Sequence, residues 1–309
     1  MSTLLLHHSA FLEHKTPSGH PERPDRLRAI SHALEKEKFQ TLLRDMPPMG
    51  RFQDIALVHP EEHINFIHNK TPEEGLFRID DDTTLSPGTW EAALRAVGAS
   101  CRAVDEVMTS QVTNAFCAIR PPGHHAEIDR AMGFCYFNNA AVAARHAQTA
   151  FGVERVAIID FDVHHGNGTQ DVFWNDPSVM YTSTHQAPLY PGTGQKQETG
   201  EFNNIVNVPM RDGDGGVEFR DAYKTVILPQ LRKFKPDLLV LSAGFDAHAR
   251  DPLGGMLVIE DDFAWLTREL MEIADQSCNR RIVSLLEGGY DLEGLARSVA
   301  AHVMTLMEH

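Results

Sequence analysis

Cysteine is scarce and unpaired in this chain. Cys101, Cys117, Cys135 and Cys278 are scattered, and no two form a C-x-x-C pair. Neither a disulfide framework nor a structural zinc ribbon is indicated, and a reducing cytoplasm is the expected location. Basic excess is also missing. The formal net charge is -15 at pH 7, which excludes the basic footprint of a protein that binds nucleic acid directly. An acidic surface first serves solubility, and otherwise suits cationic partners such as lysine-rich tails or polyamines. Long apolar runs are lacking too. Thr3 to Leu6 is too short for a signal-peptide core and has no basic region before it, and no stretch reaches membrane-spanning length. Linkers, low-complexity tracts and internal repeats are not found, so residues 1–309 are expected to form one domain.

What is present is alternation. Apolar runs of strand length at Ala115 to Ile119, Val156 to Ile159, Val179 to Thr182, Ile205 to Val208, Leu238 to Leu241 and Ile282 to Leu286 alternate with stretches of helical length. Trp90, Leu94, Val97, Cys101, Val104 and Met108 recur at three- and four-residue steps, as do Phe263, Leu266, Leu270 and Ile273. The pattern predicts a mostly parallel α/β sheet covered by helices.

Four of the apolar runs finish in clusters of chemically active residues: Arg120 to His125, Asp160 to Gly168, Ser242 to Asp246 and Glu287 to Tyr290. The carboxyl ends of parallel strands open on one edge of a sheet, so these clusters are expected to converge there. Asp162 and His164, two residues apart in an extended segment, would point to the same side. With Asp246 they make three ligands with a fourth position open, the arrangement of a catalytic zinc, and oxygen-rich ligation also suits Fe(II) or Co(II). A lone Asp-x-His at a strand end would be read as a turn or a satisfied polar contact, and it is the gathering of four clusters that favours a site.

Acid–base work near neutral pH falls to His124 and His125, each needing a partner on its other ring nitrogen. Asp160 is the candidate for His124 and Asn167 for His125, so the two basicities should differ. Tyr290, after two glycines, would donate to a developing oxyanion. His7, His8, His14, His20, His59, His63, His68 and His146 have no matching partners in sequence and are assigned surface or core roles. The glycines around Gly192 to Gly194 and Gly213 to Gly216 lack the spacing of a dinucleotide or phosphate loop.

These residues resemble the histone deacetylase family, including its bacterial amidohydrolase and acetylpolyamine amidohydrolase members. The match runs from Gly19-His20-Pro21-Glu22-Arg23-Pro24 through Arg120 to His125, Gly133 to Asn139 and Asp160 to Gly168, ending at Ser242 to Asp246 and Glu287 to Tyr290. The resemblance implies an open, arginase-like α/β sheet with helices on both faces, and a narrow apolar tunnel ending at one zinc ion held by Asp162, His164 and Asp246. It implies His125 as the main general base and acid, His124 as its companion and Tyr290 as the carbonyl-polarising group. Gly133, Phe134 and Tyr190 would wall the tunnel, Asp82 would hold the substrate backbone at the rim, and a structural potassium would sit at Asp160, Ser183 and the main chain of Asp162 and His164.

Two departures bear on specificity. Asn167 stands where one branch of the family carries aspartate, as in class II members. Leu253 stands where a polyamine-selective relative has glutamate, which lowers the expected attraction for a second ammonium group. The expected partner is therefore an acylated amine, with acetyl-lysine in protein or peptide ranked above acetylated polyamine, and above a non-catalytic acyl-ligand binding role. Oligomeric state is left open.

Overall fold

The computed structural model describes residues 2–308. Ten strands follow in chain order: β1 (Thr3–Leu6), β2 (Leu43–Asp45), β3 (Phe77–Arg78), β4 (Thr84–Leu85), β5 (Asn114–Cys117), β6 (Val156–Asp160), β7 (Val179–Gln186), β8 (Ile205–Met210), β9 (Leu238–Ala243) and β10 (Ile282–Leu286). Eight of them make one sheet in the order β2-β1-β5-β10-β9-β6-β7-β8, and every neighbouring pair in it is parallel. The short β3 and β4 form a separate antiparallel pair.

Every residue of β5, β6, β9 and β10 is buried. Such strands, covered on both faces, read as continuous apolar runs rather than as alternation. The helices Thr89–Met108 and Asn139–Phe151 pack together in one layer, while Asp25–Leu34, Glu260–Ser277 and Leu292–Glu308 pack together in another. The predicted helical positions behave as their spacing requires: Phe263, Leu266, Leu270 and Ile273 are all buried. Among the described residues no helix is long and apolar enough to cross a membrane.

Four strands escaped the sequence pattern: β1, β2 and the short β3 and β4. Thr3 to Leu6, read only as too short for a signal sequence, is β1 and lies between β2 and β5. Edge strand β2 is exposed throughout and carries no apolar periodicity. The predicted run Ala115 to Ile119 is also shifted, because the strand ends at Cys117 and the following residues leave the sheet to build the Arg120 to His125 segment.

The strands that end in the four polar clusters are β5, β10, β9 and β6, four consecutive neighbours in the sheet. Beneath their ends lies a buried ion network. Glu22 accepts from Arg120 Nη2 at 2.7 Å, from Arg120 Nε, and from Arg26 Nη1 at 3.0 Å, all three residues being fully buried. Burial works to raise the Glu22 carboxyl, but the Arg120 charge outweighs it and holds the group well below the usual carboxylate range. The guanidiniums then spend their remaining donors on backbone. Arg26 Nε donates to the Gly289 carbonyl at 2.6 Å and Nη2 to that of Glu287, while Arg120 Nη1 donates to Phe11 at 2.6 Å. The segment before the first long helix is thereby fastened to the loop after β10.

Glu22→Gln leaves two buried guanidiniums facing a neutral amide, so it should destabilise the fold by about 3–5 kcal/mol. A urea titration checks this. An unchanged midpoint would show that the pairing contributes nothing net.

Candidate active site

Asp162 and His164 follow β6 and Asp246 follows β9, and their ligand atoms lie within 4.8 Å of one another. His164 Nδ1 is 3.0 Å from Asp162 Oδ1 and 3.1 Å from Asp246 Oδ2. Backbone amides fix the carboxylates: Gly288 N–H donates to Asp162 Oδ2 at 2.8 Å, and Val163 N–H to Asp246 Oδ1 at 2.8 Å. Gly288 is required by close approach, since a Cβ there would sit 2.1 Å from Asp246 Oδ2.

The two carboxyls are forced apart electrostatically. Burial and the Asp162 charge push Asp246 up to about 7. At Asp162 burial acts in the same upward direction but is outweighed by His124 and His164, and the group is lowered. Two buried aspartates and an imidazole nitrogen aimed at one point fit a divalent cation, which relieves that repulsion.

His124 and His125 stack with centroids 4.0 Å apart, yet their environments differ sharply. His124 Nδ1 is 3.0 Å from Asp160 Oδ2, and its Nε2 is 3.8 Å from Asp162. Burial opposes a charge on it, but Asp160 and Asp162 prevail and raise its pKa well above the ordinary histidine value. His125 meets instead the amide oxygen of Asn167 at 2.8 Å, and Asn167 Nδ2 donates to Glu127 at 2.8 Å, which orients that amide. Burial, then the charges of His124 and His164, push His125 well below its ordinary value. The two environments push the paired imidazoles in opposite directions.

Tyr190 stands edge-on to His125 at 5.1 Å and is 38% exposed, so it lines an opening to solvent. Phe134 is edge-on to Tyr290 at 6.0 Å. Gly133 has φ +58°, and a Cβ there would lie 2.5 Å from the His125 ring. The wall can therefore close on the imidazole only without a side chain at that position. Of the acidic run, Asp82 reaches this wall: it accepts from Thr83 Oγ1 at 2.8 Å, and Thr83 Oγ1 in turn accepts from Phe134 N–H at 3.2 Å. Asp81 points to solvent and pairs with Arg78. Leu253 is half-buried in the loop next to Asp246.

Asp160 and Ser183 are cross-strand partners between β6 and β7. Asp160 accepts from Asp162 N–H at 3.2 Å and Tyr181 O–H at 2.9 Å, while Ser183 Oγ contacts His185 Nδ1 at 2.8 Å.

Several residues of the site were not singled out from sequence. Asp251, two residues before Leu253, accepts from the Tyr290 and Asp291 amides at 2.7 and 3.2 Å and so fixes the Tyr290 backbone. Arg26 lies over the Tyr290 ring, 4.9 Å from its centroid. Glu287 accepts from Gly123 N–H at 2.7 Å, His124 N–H at 3.2 Å and Ser242 Oγ at 3.0 Å, tying three strand ends together. His20, expected to play a surface or core part, instead packs 4.7 Å from Phe134 and reaches the Asp82 carbonyl at 3.1 Å. The motif Gly19 to Pro24 and the Asp251 to Gly255 segment were the available signals, but neither states which carboxylate faces which amide.

Known proteins resemble this chain in sequence and in fold. Residues 20–306 match the model of the histone deacetylase domain. The chain is 42% identical over 303 residues to histone deacetylase 10, chloroplastic, of Oryza sativa subsp. japonica, covering 91% of this chain and 68% of that protein. It is 37% identical over 300 residues to a probable deacetylase of Archaeoglobus fulgidus, covering 95% and 83%. The crystal structure of the HDA15 HD domain superposes with a TM-score of 0.93 at 37% identity, over 99% of this chain and 89% of that one. A parallel sheet of the same build, with the family's motifs along almost its whole length, makes this chain a member of the histone deacetylase family.

Proposed function

We propose that this deacetylase is a zinc-dependent hydrolase of acetyl-lysine in proteins or peptides. The observation that carries the reading is the convergence of Asp162, His164 and Asp246 beside a histidine pair with unlike partners, Asp160 on His124 and Asn167 on His125. Zinc held by these three residues supplies Lewis-acid activation of water and of the acyl carbonyl, and Fe(II) or Co(II) fits the same donors.

The chain's own groups carry the protons. His125, neutral near pH 7, accepts the proton of the attacking water as the C–O bond forms. It returns a proton to the amine nitrogen as the C–N bond breaks, which releases acetate and free amine. His124, kept charged by Asp160, stabilises negative charge on the reacting centre and restrains the basicity of His125. Tyr290 donates its hydroxyl to the acyl oxygen, with its backbone held by Asp251 and its ring covered by Arg26. Phe134 and Tyr190 flank the acyl chain and Asp82 receives the backbone N–H groups of a peptide at the rim. Asp160 and Ser183 are the side chains proposed for a structural potassium, together with the main chain of Asp162 and His164.

Lysine is favoured over polyamine because Leu253 stands where a polyamine-selective relative has glutamate, and because relatives are named histone deacetylases. Turnover of an acetyl-lysine tripeptide should exceed that of acetylspermidine and acetylputrescine in one panel run with zinc, iron and cobalt. A faster polyamine reaction would reverse the assignment, and no turnover of any member with metal loaded would leave only ligand binding.

Tyr290→Phe should lower kcat by about 10²- to 10³-fold with little change in KM. Asn167→Asp places a carboxylate on His125 and favours its protonated form, so the acidic limb of the kcat/KM profile should move to higher pH. A limb that stays in place would exclude His125 as the titrating base.

A further inference from the structure

Outside the active site, one other group of metal-ligating side chains lies close together among the described residues. Asp54 on the helix Phe52–Ile55, Cys101 on the helix Thr89–Met108 and His146 on the helix Asn139–Phe151 bring a carboxylate oxygen, a sulfur and a ring nitrogen within 4.8 Å of one another. These three helices pack against one another and share no residue with the strand-end cluster.

The thiol is the informative member. Cys117, Cys135 and Cys278 each donate to a backbone carbonyl. Cys101 makes no such bond, although it is only 7% exposed and sits next to two polar groups. On the imidazole, Nε2 of His146 is 2.7 Å from Asp105 Oδ1, one helical turn beyond Cys101. A carboxylate on one ring nitrogen orients a metal-binding histidine and leaves the other nitrogen as donor. We infer that Cys101, His146 and Asp54 form a second, non-catalytic site for a thiophilic divalent cation of the zinc class, with Asp105 orienting the imidazole.

The surrounding charge favours this occupant. The carboxylates of Asp54 and Asp105, beside the thiol and the imidazole, place negative charge where a cation would sit. Binding forms the sulfur–metal bond as the thiol proton leaves to solvent, with no change of oxidation state. Access is open on one side. Arg51, now paired with Asp54 at 2.6 Å, is 70% exposed, and Asp105 is 45% exposed, so the guanidinium can give way to the ion. Cysteine, histidine and aspartate together match zinc-type ligation, with the fourth position left to solvent. The ion would pin three helices that otherwise meet through the small cluster of Ile55, Leu94, Val97 and Val142.

The test uses cobalt, because the Asp162, His164 and Asp246 centre contains no sulfur. Metal-stripped, reduced full-length protein is titrated with Co(II) without oxygen. The expected result is a second equivalent of bound metal accompanied by a near-ultraviolet sulfur-to-cobalt absorption. That band should vanish in Cys101→Ser, weaken in His146→Ala and persist in Asp162→Asn, with circular dichroism confirming that each variant is folded. Saturation with no such band, or a band that survives Cys101→Ser, overturns the inference; if Cys101→Ser does not fold, an undiminished band in His146→Ala does so.

Discussion

Buried negative charge at one edge of the sheet is the constraint on which the rest of this structure depends. Asp160, Asp162, Asp246 and Glu287 are at most 1% exposed and crowd the ends of β6, β9 and β10. Carboxylates are not held there without compensation. Part of it is local: Gly288, Val163, Gly123 and His124 direct backbone N–H groups at them. Part comes from His124 and His164. Burial, joined at Asp246 by the Asp162 charge, pushes Asp246 and Glu287 up to about 7, so the edge retains a demand for positive charge. A divalent ion at Asp162, His164 and Asp246 would meet that demand, and the proposed metal affinity and the unlike histidine environments would share one electrostatic origin.

The same crowding dictates where side chains must be missing. A Cβ at Gly244 would fall 2.1 Å from Asp162 Oδ2, one at Gly288 would strike Asp246, and one at Gly133 would strike His125. These glycines let carboxylates and an imidazole approach the backbone closely, and at Gly288 the amide serves as a donor. Stability is then supplied from below by the Glu22, Arg26 and Arg120 network, which fastens the loop bearing Tyr290 to the amino-terminal segment. The three ions of that network and the loop bearing Tyr290 are thus mechanically linked.

Much of the site was legible because its members sit in short, chemically distinctive runs. Asp162 and His164 share one segment, and the pairings of His124 with Asp160 and His125 with Asn167, proposed from the need of each ring for a second partner, are the contacts found. Long central strands were legible because burial on both faces leaves unbroken apolar runs. The short β1 and the exposed β2 were not, since four residues or fewer carry no period. Asp251 and Arg26 were missed for a different reason: they act through a backbone amide and the face of a ring, contacts made across 39 residues of chain in one case and 264 in the other. Cys101 was read from periodicity as an apolar helix position, and it is buried as that predicts. Its nearness to Asp54 and His146 arises only when three helices meet.

Sequence by itself therefore determined the chemistry available: an α/β sheet, four polar strand ends, three candidate ligands of two types and two histidines with unlike partners, all set by local spacing and residue identity. Tertiary structure decided which strand ends are neighbours. Their chain order is β5, β6, β9, β10, but the sheet arranges them β5, β10, β9, β6, so that Asp246 comes to Asp162 and Glu287 to Gly123. Strand order follows from how the connecting helices pack on each face, a long-range property that no local pattern carries.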